Sequence, residues 1–307
     1  MMKKVLCGAL AVVLAAGTVA VAPVADASAA SVPKAKYTFN MNKKSSKVVA
    51  VSRKGDTKNM TTANTDTGTM PTAANAKKLK ATLQYKKGKH GKAVYLPRVA
   101  GKPVGAELKG IKLGNKSWTV SFWVKPDNNM SSYMSMFFTG SDIVNKKKCK
   151  WISITKTGDG WLNGYASPAV WSHNAALDKS DSDQHFPWYA FQDAEGTWLG
   201  DKDNAKATAF AANKWTYVTL VVDAKDTCEY GKKGDAGYVK SYHAWTYING
   251  ALYGNGTVAK NSMSNSNKFF LGINAWDTPF KGMYDDVQFW NKALKAKQVK
   301  ALYKKMK

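Results

Sequence analysis

The run Trp118-Thr-Val-Ser-Phe-Trp-Val124 alternates, so an extended chain places Trp118, Val120, Phe122 and Val124 on one face of a half-buried strand. Pro126-Asp127-Asn128 ends it. Trp151–Ile154 and Phe269–Ile273 are short apolar runs of strand length, and Met283–Trp290 is a further predicted strand. From Trp215 to Val222 the alternation puts Val218, Leu220 and Val222 together. Thr246–Tyr253 predicts a hairpin, because Asn249-Gly250 accepts the positive φ angles of a type I′ turn. Helical spacing is confined to the tail, where Val299, Leu302, Tyr303 and Met306 share a face opposite lysines. Strands do not alternate with long helices, which disfavours a parallel α/β sheet and favours an all-β sandwich.

Two stretches depart from this rhythm. Residues 43–90 are polar, and Thr57–Thr72 has almost no large apolar side chain; this predicts a surface excursion, partly disordered. Residues 155–213 set Trp161, Tyr165, Trp171, Trp188, Tyr189 and Trp198 among Gly, Asp, Asn and Pro.

Lys3-Lys4, an apolar run from Val5 to Ala22 and Ala27-Ser28-Ala29 form the three parts of a secretory signal peptide over residues 1–29. No later stretch is apolar enough to span a bilayer. Residues 30–307 then suit one large β domain in a secreted, extracellular or cell-wall-associated protein. Without Lys3, Lys4 and Asp26, the 46 basic and 21 acidic residues become 44 and 20, a net charge of +24. Arg53 and Arg98 are the two arginines, so the positive charge is nearly all lysine. Lysine is a hydrated point charge suited to diffuse attraction to a polyanion, whereas arginine's planar fork reads one group. Export makes an acidic or wall polysaccharide the expected partner rather than nucleic acid. Cys149 and Cys228 follow the signal; outside the cell they are candidates for one disulfide, with two buried thiols as the alternative.

At the C-terminus, Gly282, Asp285-Asp286-Val287, Trp290-Asn291-Lys292, Ala293-Leu294 and Ala301-Leu302-Tyr303 resemble the closing strand and helix of LamG-like domains. These belong to the concanavalin A-like lectin/glucanase superfamily. Tyr37–Asn40, Gly91–Leu96, Trp118–Pro126, Lys214–Val218 and Tyr247–Gly250 are similar to earlier family elements, in the same order. The resemblance covers most of residues 36–303. It implies a two-sheet antiparallel jelly roll with a short C-terminal helix, a fold shared by lectins, binding modules and some hydrolases and lyases. Function must therefore be argued from the site. The resemblance also raises a structural calcium ion, with Asp285 and Asp286 as hard oxygen ligands. Asn40 stands where the family often has Asp, which removes one charge from such a site.

Glycoside hydrolysis needs two carboxyl groups flanking the bond. The family's Glu-x-Asp-x-x-Glu strand is absent, and Glu107, Glu195 and Glu229 are scattered. Asp285 and Asp286 are neighbours, which on a regular strand point to opposite faces. Two arginines outside any matching strand argue against a lyase, and no His or Cys spacing suggests a transition metal. No catalytic residue and no required cofactor is expected. Sugar rings lay apolar C–H faces on aromatic rings, while their hydroxyls need polar partners. Trp171-Ser-His-Asn174 and His185-Phe-Pro-Trp-Tyr189 supply both, making Trp171, His173, Asn174, His185, Trp188 and Tyr189 the candidate carbohydrate contacts. The expected function is non-catalytic carbohydrate binding. A structural or adhesive surface protein held by charge is the alternative, and a glycoside hydrolase the third reading.

Overall fold

A computed structural model describes residues 30–53, 70–99, 101–127, 134–143, 148–157, 167–177, 186–190, 209–235 and 237–307. The expected signal peptide lies outside them. In chain order the first elements are β1 (Tyr37–Phe39), β2 (Val48–Val51), α1 (Ala73–Leu79), β3 (Gln84–Lys87), β4 (Lys92–Leu96) and β5 (Gly105–Leu108). Next come β6 (Trp118–Pro126), β7 (Met134–Ser141), β8 (Lys150–Thr157), β9 (Ser167–Asn174) and β10 (Trp188–Tyr189). The chain ends with β11 (Thr216–Tyr230), β12 (Val239–Ile248), β13 (Ala251–Ala259), β14 (Lys268–Leu271), β15 (Thr278–Pro279), β16 (Gly282–Trp290) and α2 (Ala296–Met306).

The strands form two sheets, as the jelly-roll expectation requires. One, here sheet A, runs β13-β12-β11-β6-β16-β4-β3, with β1 also on β16. Sheet B runs β10-β9-β8-β7-β14-β5-β2, with β15 on β7. Pairing is antiparallel except between β15 and β7. Alternation decides what each strand sends inward. Trp118, Val120, Phe122 and Val124 of β6 meet Phe137, Ile152, Ile154, Phe269 and Leu271 of sheet B in the core between the sheets. The other face of β6 is also covered. Trp123, with Tyr217, Val221 and Trp290, packs under Leu294, Val299 and Leu302 of the C-terminal segment. The amphipathic tail therefore exists to cover sheet A from outside.

The expected hairpin forms: Asn249 (φ 51°) and Gly250 (φ 77°) join β12 to β13 in two residues. The excursion at 43–90 is more structured than its polarity suggests. Val48–Val51 pairs with β5, Thr72 caps α1 by accepting Asn75 N–H, and Ala76 and Ala81 pack on Val104. Pairing with a neighbouring strand overrides the weak local pattern here. Residues 54–69 lie outside the described set.

The expected Cys149–Cys228 bridge does not form. Cys149 precedes β8 on the outer side of sheet B, and Cys228 belongs to β11 of sheet A. Burial and the charge of Asp142 push the Cys149 thiol up to about 11, so it is a poor nucleophile.

At Gly282 both backbone conformation and close approach require glycine. Its φ is +151°, and a Cβ there would stand 2.3 Å from the Lys125 carbonyl oxygen and 2.6 Å from Phe280. At Gly110 (φ +84°) nothing lies within 4 Å, so only backbone strain opposes a side chain. Gly282→Ala is expected to cost roughly 2–3 kcal/mol and Gly110→Ala about 1 kcal/mol. Urea denaturation of the two variants checks this, and equal losses would refute the close-approach explanation.

Candidate functional site

The two outer faces of the sandwich differ. That of sheet A lies under α2, whereas that of sheet B carries aromatic rings of its own. Because Ile152, Ile154, Val170 and Phe137 face inward, Trp151, Ser153, Thr155, Trp171, His173 and Phe138 point outward. The strand register lines one outward residue from each strand into a transverse row. Trp188 opposes Trp171, Trp171 opposes Ser153, Ser153 opposes Phe138, and Phe138 opposes Phe270. With strands ~4.8 Å apart, that row spans roughly 20 Å.

Trp171 and Trp188 are half-buried and stack, with centroids 5.2 Å apart and planes inclined 19°. Beside them, Trp151 meets Phe186 edge-on at 5.3 Å and Trp276 at 5.1 Å. Trp276 also stands edge-on to Phe138, which stacks on Phe270. Phe138, Trp151 and Phe270 form a buried floor; Trp171, Phe186, Trp188 and Trp276 are half-buried above it.

A polar network sits in this apolar surround. Asn274 Oδ1 accepts the N–H groups of Trp276 (3.1 Å) and Asp277 (2.7 Å), a local turn that holds Trp276 in place. Asp277 Oδ2 accepts from Asn274 Nδ2 (2.6 Å) and the Thr155 hydroxyl (3.1 Å). Arg53, 1% exposed, donates from Nη1 to the Asn274 carbonyl at 3.2 Å. Burial pushes the Asp277 carboxyl up to about 6, opposed by those two hydrogen bonds and the Arg53 charge.

Of the six candidate contacts, the structure brings Trp171 and Trp188 together on this face. His173 is buried beside them, 4.5 Å from Phe186 and 6.0 Å from Trp151, and it props rings rather than standing open. Asn174 has opposite parity. Its Nδ2 donates to the Lys260 carbonyl at 2.7 Å and its Oδ1 accepts Ala176 N–H, tying β9 to the end of β13. Tyr189 is a core residue, its hydroxyl 2.9 Å from Thr246 Oγ1 and its ring against Gly256. His185, like Trp161, Tyr165 and Trp198, lies outside the described residues. Sequence reasoning missed Trp276, Asn274, Asp277, Thr155 and Arg53. Asn274-Ala-Trp-Asp277 was the available signal, since Asn followed by a two-residue step is an Asx-turn pattern.

Asp285 and Asp286 lie far from this face, on β16 of sheet A, and do not point oppositely as a regular strand would have them. A bulge falls after Asp285, and Asp286 takes φ 45°. Both carboxylates then reach the β3–β4 turn. Asp285 Oδ2 accepts the N–H groups of Lys89 (2.9 Å) and His90 (3.0 Å), while Asp286 Oδ2 is 2.5 Å from His90 Nδ1. Asp285 Oδ1 accepts Asp286 N–H, and the residue is fully buried. Calcium takes six to eight oxygen ligands. Both Asp285 oxygens and Asp286 Oδ2 already meet N–H or imidazole groups, and among the described residues no three acidic, His or Cys side chains converge. The aspartate pair does not fit a calcium site.

Residues 101–300 match a laminin G family model described as concanavalin A-like lectin/glucanases superfamily. The chain belongs to this family, as the order of its strands and its closing Gly282–Tyr303 segment implied. It is similar in shape to domain 4 of AbnA, an extracellular GH43 arabinanase from Geobacillus stearothermophilus, in complex with arabinotriose. There the identity is 25%, the match covers 72% of this chain and 81% of that one, and the TM-score is 0.47. It is also similar to the CBM40 of the Ruminococcus gnavus IT-sialidase, bound to α2,3-sialyllactose (10% identity, 62% and 84% covered, TM-score 0.41). The SAP-like pentraxin of Limulus polyphemus is a further neighbour (14%, 68% and 79%, TM-score 0.42). No curated protein matches the sequence. TM-scores below 0.5 assign this chain no ligand.

The buried Asp277 carboxyl makes stability depend on pH. Its folded value of about 6 lies above the ordinary 3.8, so the protonated form favours the fold. That contribution is complete below pH ~4 and is lost as the pH rises through 6, on the order of 2–3 kcal/mol. Asp277→Asn should remove this part of the pH 4-to-7 slope in urea denaturation. Parallel slopes for wild type and variant would refute it.

Proposed function

We propose that this protein binds carbohydrate, without catalysis, on the outer face of sheet B. The observation that carries the reading is the Trp171–Trp188 stack, half-buried at one end of an aromatic row on a rigid sheet. A ring pair held by backbone register loses little freedom when a sugar face settles on it. Trp276 and Phe186 widen the apolar surface around it. Membership of a superfamily that contains lectins supports the reading.

Among the described residues, the placement of the carboxyl groups supports binding rather than hydrolysis. Asp277 is buried, with Oδ2 bonded to Thr155 and Asn274, and Asp285 is saturated on the other sheet. Neither is open to a glycosidic oxygen as acid or nucleophile. We place the protein outside the cell, on the signal-like residues 1–29, and we assign it an acidic or wall polysaccharide as partner, on its lysine-rich charge.

Trp171→Ala and Trp188→Ala should each weaken binding to a neutral oligosaccharide panel several-fold, since ring contacts of this kind contribute about 0.5–1.5 kcal/mol beyond burial. Calorimetric titration of both variants, with circular dichroism to confirm folding, checks it. Folded variants that bind like wild type would sink the assignment of this face.

A further inference from the structure

We infer that the solvent side of α2 is a second binding surface, dedicated to an anionic polysaccharide and set on the opposite face of the sandwich from the aromatic row. The inference rests on the anionic partner proposed above and gives that partner a place. From Val287 to Lys307 the chain has seven lysines and no Asp or Glu. Lys297, Lys300, Lys304 and Lys307 are exposed and fall within about 80° of one another around the helix, one per turn. Lys292, Lys295 and Lys305 flank them, also exposed. Among the described residues none of these ammonium groups is in an ion pair. Two further lysines join the face. Lys34 is exposed on the N-terminal segment that Gln298 and Trp290 hold through Ser31 and Pro33, and Lys89 Nζ lies 4.7 Å over the Trp123 ring, against which Tyr303 packs.

Helix stability does not account for all of these charges: Lys304 and Lys305 suit the last turn, but the lysines at the start do not. Lys297 in the first turn opposes the helix dipole, that turn has no acid, and the Lys295 side chain offers its N–H groups no acceptor. Folding alone would favour Ser or Asp at the cap and Glu in that turn. A polyanion along the face would offset the mutual repulsion of the lysines.

The chemistry selects a polysaccharide over the other polyanions. Membrane binding by a basic helix needs an apolar face to insert, and here Val299 and Leu302 are buried on sheet A. Binding of single-stranded nucleic acid uses open rings for stacking, but the aromatic side chain of α2, Tyr303, is packed on Trp123 and Tyr217. What remains is a strip of hydrated point charges, which suits a flexible chain carrying spaced carboxylates or phosphates.

The test compares two triple variants of equal net charge. Lys297→Gln/Lys300→Gln/Lys304→Gln alters the strip; Lys225→Gln/Lys232→Gln/Lys233→Gln alters exposed lysines of the β11–β12 hairpin. Glutamine matches lysine in helix propensity, so α2 is retained. Polygalacturonate is the probe, titrated at 0.1 M and 1 M salt, between which the Debye length falls from ~10 Å to ~3 Å. The α2 triple should lose at least tenfold in affinity at low salt and most of its salt response, the hairpin triple less than twofold. Equal losses in the two triples, a wild-type-like α2 triple, or no binding by wild type would each overturn the inference. So would tighter binding of wild type to phosphatidylglycerol vesicles or to DNA than to polygalacturonate. Failure of the aromatic face is read separately, from the two tryptophan variants on neutral sugars, so the two proposals fall independently.

Discussion

The structure depends on β6 being buried on both of its faces. From Trp118 to Val124 every residue of that strand is buried, which a two-layer sandwich alone cannot achieve. One side is the core between the sheets; the other needs a third layer. The C-terminal segment supplies it: Leu294, Val299 and Leu302 close over Trp123, Tyr217 and Trp290, and the Thr119 hydroxyl accepts Leu294 N–H while donating to the Lys292 carbonyl. Those bonds fix where α2 begins. The N-terminal residues are held in the same layer, through Trp290 Nε1 and the Pro33 carbonyl. Around β6 the outward face of sheet A is thus covered, and what it offers there is the solvent side of its own cover.

Sheet B solves the same problem differently, and its solution leaves a usable surface. Its outward rings cover one another instead of lying beneath a helix. Trp171 and Trp188 stack on each other and stay half-buried. The Asn274 turn belongs to the same arrangement, since it fixes Trp276 over Phe138 and Trp151. Burying Arg53 and Asp277 below these rings is expensive unless each is paired and hydrogen-bonded. Their retention there is consistent with positioning, because a charged network tolerates fewer geometries than a greasy one.

The inward half of the fold was legible because period-two alternation is local. It assigned Trp118, Val120, Phe122, Val218, Leu220 and Val222 to the core correctly, and Asn249-Gly250 announced its own turn. The run Met134–Phe138 defeats that logic. Its pairing with β8 shifts register between Ser135 and Phe137, so Met136 and Phe137 both face the core and the outward Phe138 stayed invisible. The site was legible only in part, for a related reason. Trp171 and Trp188 stood out among polar neighbours, but adjacent residues on a strand face opposite ways, so the pairs His173–Asn174 and Trp188–Tyr189 could not all serve one surface. Arg53 and Asn274 are 221 positions apart, and no local pattern joins them. Asp285 and Asp286 failed the rule from the other side: the bulge sends two neighbours to one turn where alternation would part them.

These two kinds of error share a physical origin that bears on function. Alternation holds where a strand serves only its sheet, and it fails where backbone is diverted to hold something else. At Asp286 the diversion ties the β3–β4 turn to the central strand, with His90 and the main chain as clients. At Asn274 the diverted backbone holds a tryptophan over a surface. The first is directed inward, to a turn of the same sheet, and it stabilises the jelly roll. The second ends in a half-buried ring, Trp276, held edge-on to Phe138 and Trp151. That asymmetry, rather than the count of aromatic residues, separates the outer face of sheet B from that of sheet A.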